Sequence, residues 1–251
     1  MLWLDDYERR ARLAPGMLAL LPLVIVMAIF GVRKQPAVSA IITALSLAGG
    51  PLLLAELVRH YGRKTQESLW ASWGGSPTTQ KLRLREQSQN SLQRETWRKA
   101  ISALTDTSLA SARSERANPA RADEAIEVAV GKVRNLTRDG DKFPLVRAEN
   151  RSYGFHRNLY GVRWIARIIA LLSLVGCIIY IGSYGAFAKH PIFTTVNVTA
   201  VVLALACLGC WFIFPSSRRV RDAADRYAYE LLQAAVILCS EKEASQTADD
   251  S

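Results

Sequence analysis

Asp, Glu, Lys, Arg and His are missing altogether from four stretches of this chain, residues 13–32, 37–55, 168–188 and 191–217. A helix rises about 1.5 Å per residue, so about 20 such residues cross a hydrocarbon core of about 30 Å. The absence of Asp, Glu, Lys and Arg at mid-membrane depth argues against a proton-driven transporter, which needs a relay of ionisable groups. Asn197 is the most polar side chain in any of these runs and is expected to bond to a neighbouring helix. Histidine is scarce too. His60, His156 and His190 are the three in the chain; none has a metal-ligand neighbour pattern, and no Ser–His–acid arrangement suggests itself. The inventory therefore reads as a protein that is not an enzyme, with no catalytic residue, no cofactor and no metal.

Cysteine offers no exposed disulfide framework. Cys177, Cys207 and Cys210 lie inside apolar runs and Cys239 near the C-terminus. Cys207-x-x-Cys210 has the spacing of half a zinc site, but a second ligand pair is lacking and its surroundings are hydrocarbon, so packing is the better account. Long external loops are missing as well. The links at 33–36 and 189–190 are too short to build a receptor surface.

What is present defines an all-α transmembrane protein. The expected fold has four helices in two short hairpins, a mainly α cytosolic domain inserted between spans two and three, and a C-terminal cytosolic helix. The segments run as residues 1–58 (N-terminal cytosolic stretch and first hairpin), 59–163 (basic cytosolic domain), 164–217 (second hairpin) and 218–251 (C-terminal helix and disordered tail). The short links carry Arg33, Lys34 and Lys189. The opposite side carries Arg9, Arg10, Arg12, Arg59, Arg63, Lys64, Arg151, Arg157, Arg163, Arg167, Arg218, Arg219 and Arg221. Lys and Arg near span ends favour the cytoplasmic side, so both termini and the central stretch are expected there, in the cell inner membrane. The first run lacks an A-x-A-like cleavage site and reads as an uncleaved anchor.

Charge is unevenly spread. Residues 59–163 hold 20 Lys/Arg against 11 Asp/Glu, whereas 218–251 hold five against seven. Part of the central excess meets anionic headgroups at its edges, and the rest is available to an anionic partner. Within this stretch, 81–85 alternates with period two, which suits a short strand or a helix start. Residues 89–104 and 120–137 read as helices, 105–119 as a loop, and Asp123-Glu124 as acids at an ordinary helix start. In the tail, Val220, Ala224, Tyr227, Leu231, Ala234 and Leu238 form a short heptad seam, open to packing on the central domain or to subunit association.

Three groups of residues are candidate sites. Ser39, Thr43, Ser46 and Gly50 share one helical face, either packed on the first span or lining a water path in an oligomer. Around Trp70 and Trp73, the turn Gly74-Gly75-Ser76-Pro77-Thr78 could cradle a phosphate, with Arg83 and Arg85 as counter-charge. It is not a Walker A loop, and a purely structural turn fits equally. The third group, Arg151, Tyr153, His156, Arg157 and Asn158, combines aromatics for stacking with cations for phosphate. It could equally be an interfacial anchor for the next span.

Trp73-Gly-Gly-Ser-Pro-Thr-Thr79, Ala122-Asp123, Leu136-Thr-Arg-Asp139, Phe143-Pro-Leu145, Glu149-Asn150 and Tyr153-Gly-Phe-His-Arg-Asn-Leu159, with the paired spans, resemble a family of bacterial four-span proteins. Among these are membrane effectors of nucleotide-signalling anti-phage operons of the Hailong type. The likeness covers about residues 70–163, with 105–119 departing from it. It implies an oligomeric membrane channel controlled by a cytosolic nucleic-acid-like signal. The expected function is an integral membrane effector forming a pore or perturbing the membrane on binding a nucleotide-derived anion. Its expected partners are the lipid bilayer, other copies of itself, a nucleotide or oligonucleotide, and an operon-encoded protein. The alternative is a membrane-anchored scaffold recruiting a cytosolic partner through 89–104 or the tail.

Overall fold

The computed structural model describes residues 6–31, 35–86, 90–188, 191 and 193–249, and it is helical throughout, with no β-strand among them. The link residues Arg33, Lys34, Lys189 and His190, on which part of the orientation argument rests, lie outside the described residues. The chain divides into two compact units. An apolar unit comprises Met1–Gln66 and Gly154–Val220; a polar unit comprises Glu67–Tyr153 and Arg221–Ser251. Three helices, α3 (Gly50–Trp73), α8 (Pro144–Gly161) and α11 (Ser217–Asp249), contribute residues to both.

In the apolar unit, a π-helical segment Glu8–Leu13 runs into α1 (Ala14–Ile29). This stretch packs with α9 (Arg163–Ala188) and α10 (Thr195–Ile213), each of the three touching the other two. Three helices here, Glu8–Ile29, Arg163–Ser183 and Thr195–Ile213, are long and apolar enough to cross a membrane. Their contacts are built on small residues: Ala19, Ala166, Ala170, Ala200 and Ala204 are buried. Small side chains let helices approach where lipid gives no hydrophobic drive for association. The larger side chains Leu171, Leu172, Ile178, Ile179, Val202 and Leu205 face outward.

The apolar run at 37–55 departs from the expectation of one continuous span. It forms α2 (Pro36–Leu47), a break at Ala48–Gly49, and the first turns of α3. Gly49 sits at φ +87°, a left-handed conformation that glycine adopts without a Cβ clash. Pro51 has no N–H to donate, and its ring would collide with the carbonyl four residues earlier in a continuous helix. The 12 residues of α2 would reach only about 18 Å, short of a hydrocarbon core.

Further along the unit, α3 and α8 cross closely. A Cβ on Gly161 would lie 2.9 Å from the Gly62 backbone, and one on Gly62 would strike the Asn158 side chain. Asn158 is fully buried and donates to the Ala11 carbonyl at 2.6 Å. Gly154, Asn158 and Gly161 are therefore the packing stripe of α8 in this unit, at spacings of four and three.

The polar unit follows the rules of a water-soluble fold. It contains α4 (Pro77–Leu82), α5 (Ser91–Thr105), α6 (Ala112–Ala117) and α7 (Pro119–Leu136), with portions of α3, α8 and α11. Each short helix has a side-chain cap at its start: Ser76, Asn90, Ser111 and Asn118 accept from the backbone N–H three residues on. Ile101, Ile126, Val133, Leu231 and Leu232 are fully buried. Residues 81–85 form no strand; α4 ends at Leu82 and the chain turns. The expected loop 105–119 contains α6. Of the tail seam, Ala224, Tyr227, Leu231 and Ala234 are buried within the chain. Tyr229 meets Trp97 edge-on with ring centroids 5.8 Å apart.

Candidate functional site

Two carboxylates organise the basic part of the polar unit. Asp123 receives both Nε and Nη2 of Arg83, at 2.9 and 2.8 Å, and Nη2 of Arg85 at 2.7 Å. Glu115 is wholly buried; it accepts from Arg98 Nη1 at 3.0 Å and from the backbone N–H groups of Leu84 and Arg85 at 2.7 and 3.0 Å. Burial alone would raise the Asp123 pKa, but the hydrogen bonds from Arg85 and Arg83 prevail and hold it below the usual carboxylate range. Burial likewise works against the Arg83 charge, yet Asp123 and Glu86 raise its pKa overall. For Arg98 desolvation wins over the pull of Glu115, and its pKa is lowered. Arg83 and Arg85, expected as counter-charges for a bound phosphate, are thus paired inside the fold. Asp123, expected as an ordinary helix-start acid, is the hub of that pairing.

The turn after Trp73 is held from several sides. Gly74 and Gly75 take φ values of +79° and +124°, and the Gly75 N–H returns to the Trp70 carbonyl at 2.8 Å. Gln80 Nε2 donates to the carbonyls of Trp73 and Gly75, and the Arg221 guanidinium lies 5.0 Å from the Trp73 ring centre. Trp73, Gly74 and Gly75 therefore shape the turn. Below it the hydroxyls of Ser76, Thr78 and Thr79 cluster, with the Ser76 Oγ 2.9 Å from Thr78 Oγ1 and 2.8 Å from Thr79 Oγ1.

Beside these hydroxyls opens a cavity of about 240 Å³ lined by Trp70, Ser76, Thr78, Thr79, Glu127, Val130 and Arg134. The Trp70 indole Nε1 is buried and has no acceptor. A buried donor without a partner costs about 1–3 kcal/mol, so such an atom calls for an explanation. Arg134 and Glu127 are both exposed and seven residues apart, two turns along one face of α7. The cavity is smaller than the 300–1,000 Å³ usual for small-molecule sites, and it suits one phosphate or one base edge rather than a whole dinucleotide.

Trp70 and Thr78 are the two expected ligand residues that this cavity brings together. Glu127, Val130 and Arg134 were not legible as part of it; their spacing of three and four marks a helix face but not its neighbour. Arg151 is half-buried on α8 in the same unit. Tyr153 stacks on Tyr227, centroids 6.2 Å apart and rings 6° from parallel, so its face is covered. His156, Arg157 and Asn158 belong to the apolar unit. There Arg157 donates to Gln66 at 2.6 Å and to Asn158 at 3.3 Å, which joins it to the α8 packing stripe. On α2, Ser39, Thr43 and Ser46 are exposed, and Gly50 opens α3 half-buried. The Thr43 and Ser46 hydroxyls bond to carbonyls four residues back, at 2.9 and 2.8 Å. No protein-family model, curated protein or solved structure matches the chain.

Proposed function

We propose that this chain is a membrane effector whose polar unit receives the phosphate or base edge of a nucleotide-derived ligand at the Trp70–Thr78–Arg134 cavity. Binding then alters an oligomeric apolar part, as in the anti-phage effectors that the sequence resembles. The observation that carries the reading is the buried Trp70 Nε1, without an acceptor, beside three hydroxyls and an arginine. An anion would supply that acceptor and neutralise Arg134. Signal passage uses α3, α8 and α11, which have residues in both units. In the same reading α2 and the first turns of α3 complete a four-span arrangement in the inner membrane, with both termini cytoplasmic. Cysteine introduced at Ser111 then labels only in permeabilised cells, whereas one at Gln35 labels in intact cells.

Titration of the full chain in detergent with inorganic phosphate, mononucleotides and short oligodeoxynucleotides tests the ligand. Trp70→Phe should weaken binding by about 5- to 150-fold, the effect of about 1–3 kcal/mol. Arg134→Gln should weaken it and flatten its salt dependence, because fewer counterions are released. If none of these anions binds, the scaffold alternative moves ahead. That alternative draws on Leu92, an apolar side chain left 74% exposed in α5.

A further inference from the structure

A cavity in the apolar unit has a volume of about 600 Å³ and walls made almost wholly of carbon. α1 contributes Leu18, Leu21 and Pro22; α10 contributes residues from Leu203 to Trp211; Phe155 and Leu159 of α8 close one side. From Leu203 to Phe214 the wall extends about 16 Å along the helix axis. The cavity therefore runs lengthwise along two helices that are apolar enough to span a membrane, as an extended hydrocarbon chain would.

One end differs. Arg219 lines the cavity there, beside Phe214. The exposed Arg219 guanidinium lies 5.0 Å from the Phe214 ring centre and uses Nη1 for the Phe214 carbonyl at 3.1 Å, one of the five N–H donors such a group carries. The same end of α9 and α10 carries a belt of aromatic and arginine side chains. Arg163 stacks 3.7 Å from Tyr160, and Arg167 lies 4.6 Å from Trp164 and 4.4 Å from Phe212. Such belts lie at the level of lipid headgroups.

We infer that this cavity is a phospholipid site, which holds one acyl chain between α1 and α10 and an anionic headgroup at Arg219. The occupant follows from the carbon lining, the elongated form and the cation at the end that the belt assigns to the headgroup level. Neutral hydrocarbon alone would need no arginine there, and a soluble anion would need no apolar channel. The inference stands apart from the ligand reading of the polar unit.

Native mass spectrometry of the full chain in mild detergent, given equal amounts of phosphatidylglycerol and phosphatidylcholine, tests it. The expected result is one retained lipid per chain, with phosphatidylglycerol favoured about fivefold, the effect of one basic residue at an anionic surface. Ala206→Trp, which fills the cavity from α10, should abolish retention of both lipids. Arg219→Glu should keep a bound lipid and lose the preference. Equal retention of the two lipids by the parent protein, or retention unchanged by Ala206→Trp, overturns the proposal.

A second measurement needs no substituted protein. Cys210 lines the cavity and is exposed, whereas Cys177 and Cys239 are buried. Its alkylation by N-ethylmaleimide should slow several-fold when phosphatidylglycerol is added to lipid-free protein, and an unchanged rate overturns the assignment. Protection that is present without lipid and disappears on dilution would make a second copy of the chain the occupant, and also overturns it.

Discussion

In the apolar unit the wholly buried positions of α9 and α10 are the small residues Ala166, Ala170, Cys177 and Ala200, while Leu172 and Ile179 are about two-thirds exposed. In the polar unit Ile101, Ile126, Leu231 and Leu232 are wholly buried. The polar unit also buries charge, but only as pairs with nearly every donor and acceptor engaged, as at Arg98 and Glu115. The inversion reflects two solvents. In water, large apolar side chains gain about 1.5–3 kcal/mol each by burial. In hydrocarbon that gain vanishes, and close backbone approach decides the packing instead. Among the described residues, the charges of the three spans sit at their ends, as with Arg12 and Glu8 or Arg163 and Arg167, because a fixed charge deeper in would have no water on which to fall back.

The comparison is broken most severely at Glu115. Glu115→Ala leaves Arg98 buried without its partner and orphans two backbone N–H groups, and should destabilise the polar unit by about 3–5 kcal/mol. Thermal unfolding in detergent reads this as a large fall in midpoint. Replacing the pair together, Arg98→Met with Glu115→Leu, should cost less, because no uncompensated charge remains although the Leu84 and Arg85 N–H groups stay without their acceptor. An equal loss in the single and double variants would mean that the carboxylate acts through packing alone.

A second test swaps the sizes. Ala170→Leu inserts a large side chain into a wholly buried position of α9 and should cost about 1–3 kcal/mol through forced displacement of α1 or α10. Leu172→Ala, two residues on but facing outward, should leave the melting midpoint close to that of the parent. A fall in midpoint for Leu172→Ala as large as that for Ala170→Leu would mean that the outward leucine is a packed contact.

Acid sharpens the contrast further. The Asp123 pKa is lowered in the folded state, so its stabilisation is fully present above the unfolded-state pKa and is lost as pH falls through the folded value. The polar unit should therefore weaken progressively below the ordinary carboxylate range, with Trp70, Trp73 and Trp97 fluorescence as the readout. Asp123→Asn should cost about 1–2 kcal/mol at neutral pH and flatten that acid limb. An acid limb that keeps its depth in Asp123→Asn would assign it to other carboxylates.

How much of this was legible in the chain depends on the range of the interaction. The amphipathic α5 and α7 follow from periodicity and appear within a residue or two of their expected bounds, whereas α1, α9 and α10 follow from uncharged run length and differ from it by up to five residues at an end. The break at Gly49 was written locally, in Gly49-Gly50-Pro51, yet run length outweighed it in the reading. Five alternating residues at 81–85 were too few to specify a strand, since the arginines answer to Asp123, about 40 positions away. The residues at 154–161 were read by composition, as aromatics and cations. Their spacing carried the packing signal, with Gly154, Asn158 and Gly161 on one face. Pairings such as Arg98 with Glu115, and the meeting of Trp70 with Arg134, have no periodic signature at all.

The smallest expected effect concerns α2, where the two sets of rules meet. Its described side chains are exposed apart from the half-buried Val38. Thr43 and Ser46 return their hydroxyls to their own helix backbone, the arrangement that satisfies a polar group facing lipid. Thr43→Val with Ser46→Ala removes two local bonds and should shift stability by no more than about 0.5 kcal/mol. If these hydroxyls only tolerate hydrocarbon, nothing else changes. If α2 lines a water path between copies of the chain, their oxygens are part of that path. The double variant should then lower ion flux in reconstituted vesicles while its melting midpoint stays put. Flux equal to the parent's, at equal stability, would remove α2 from the conduction path and leave the three long spans as the whole of the membrane machinery.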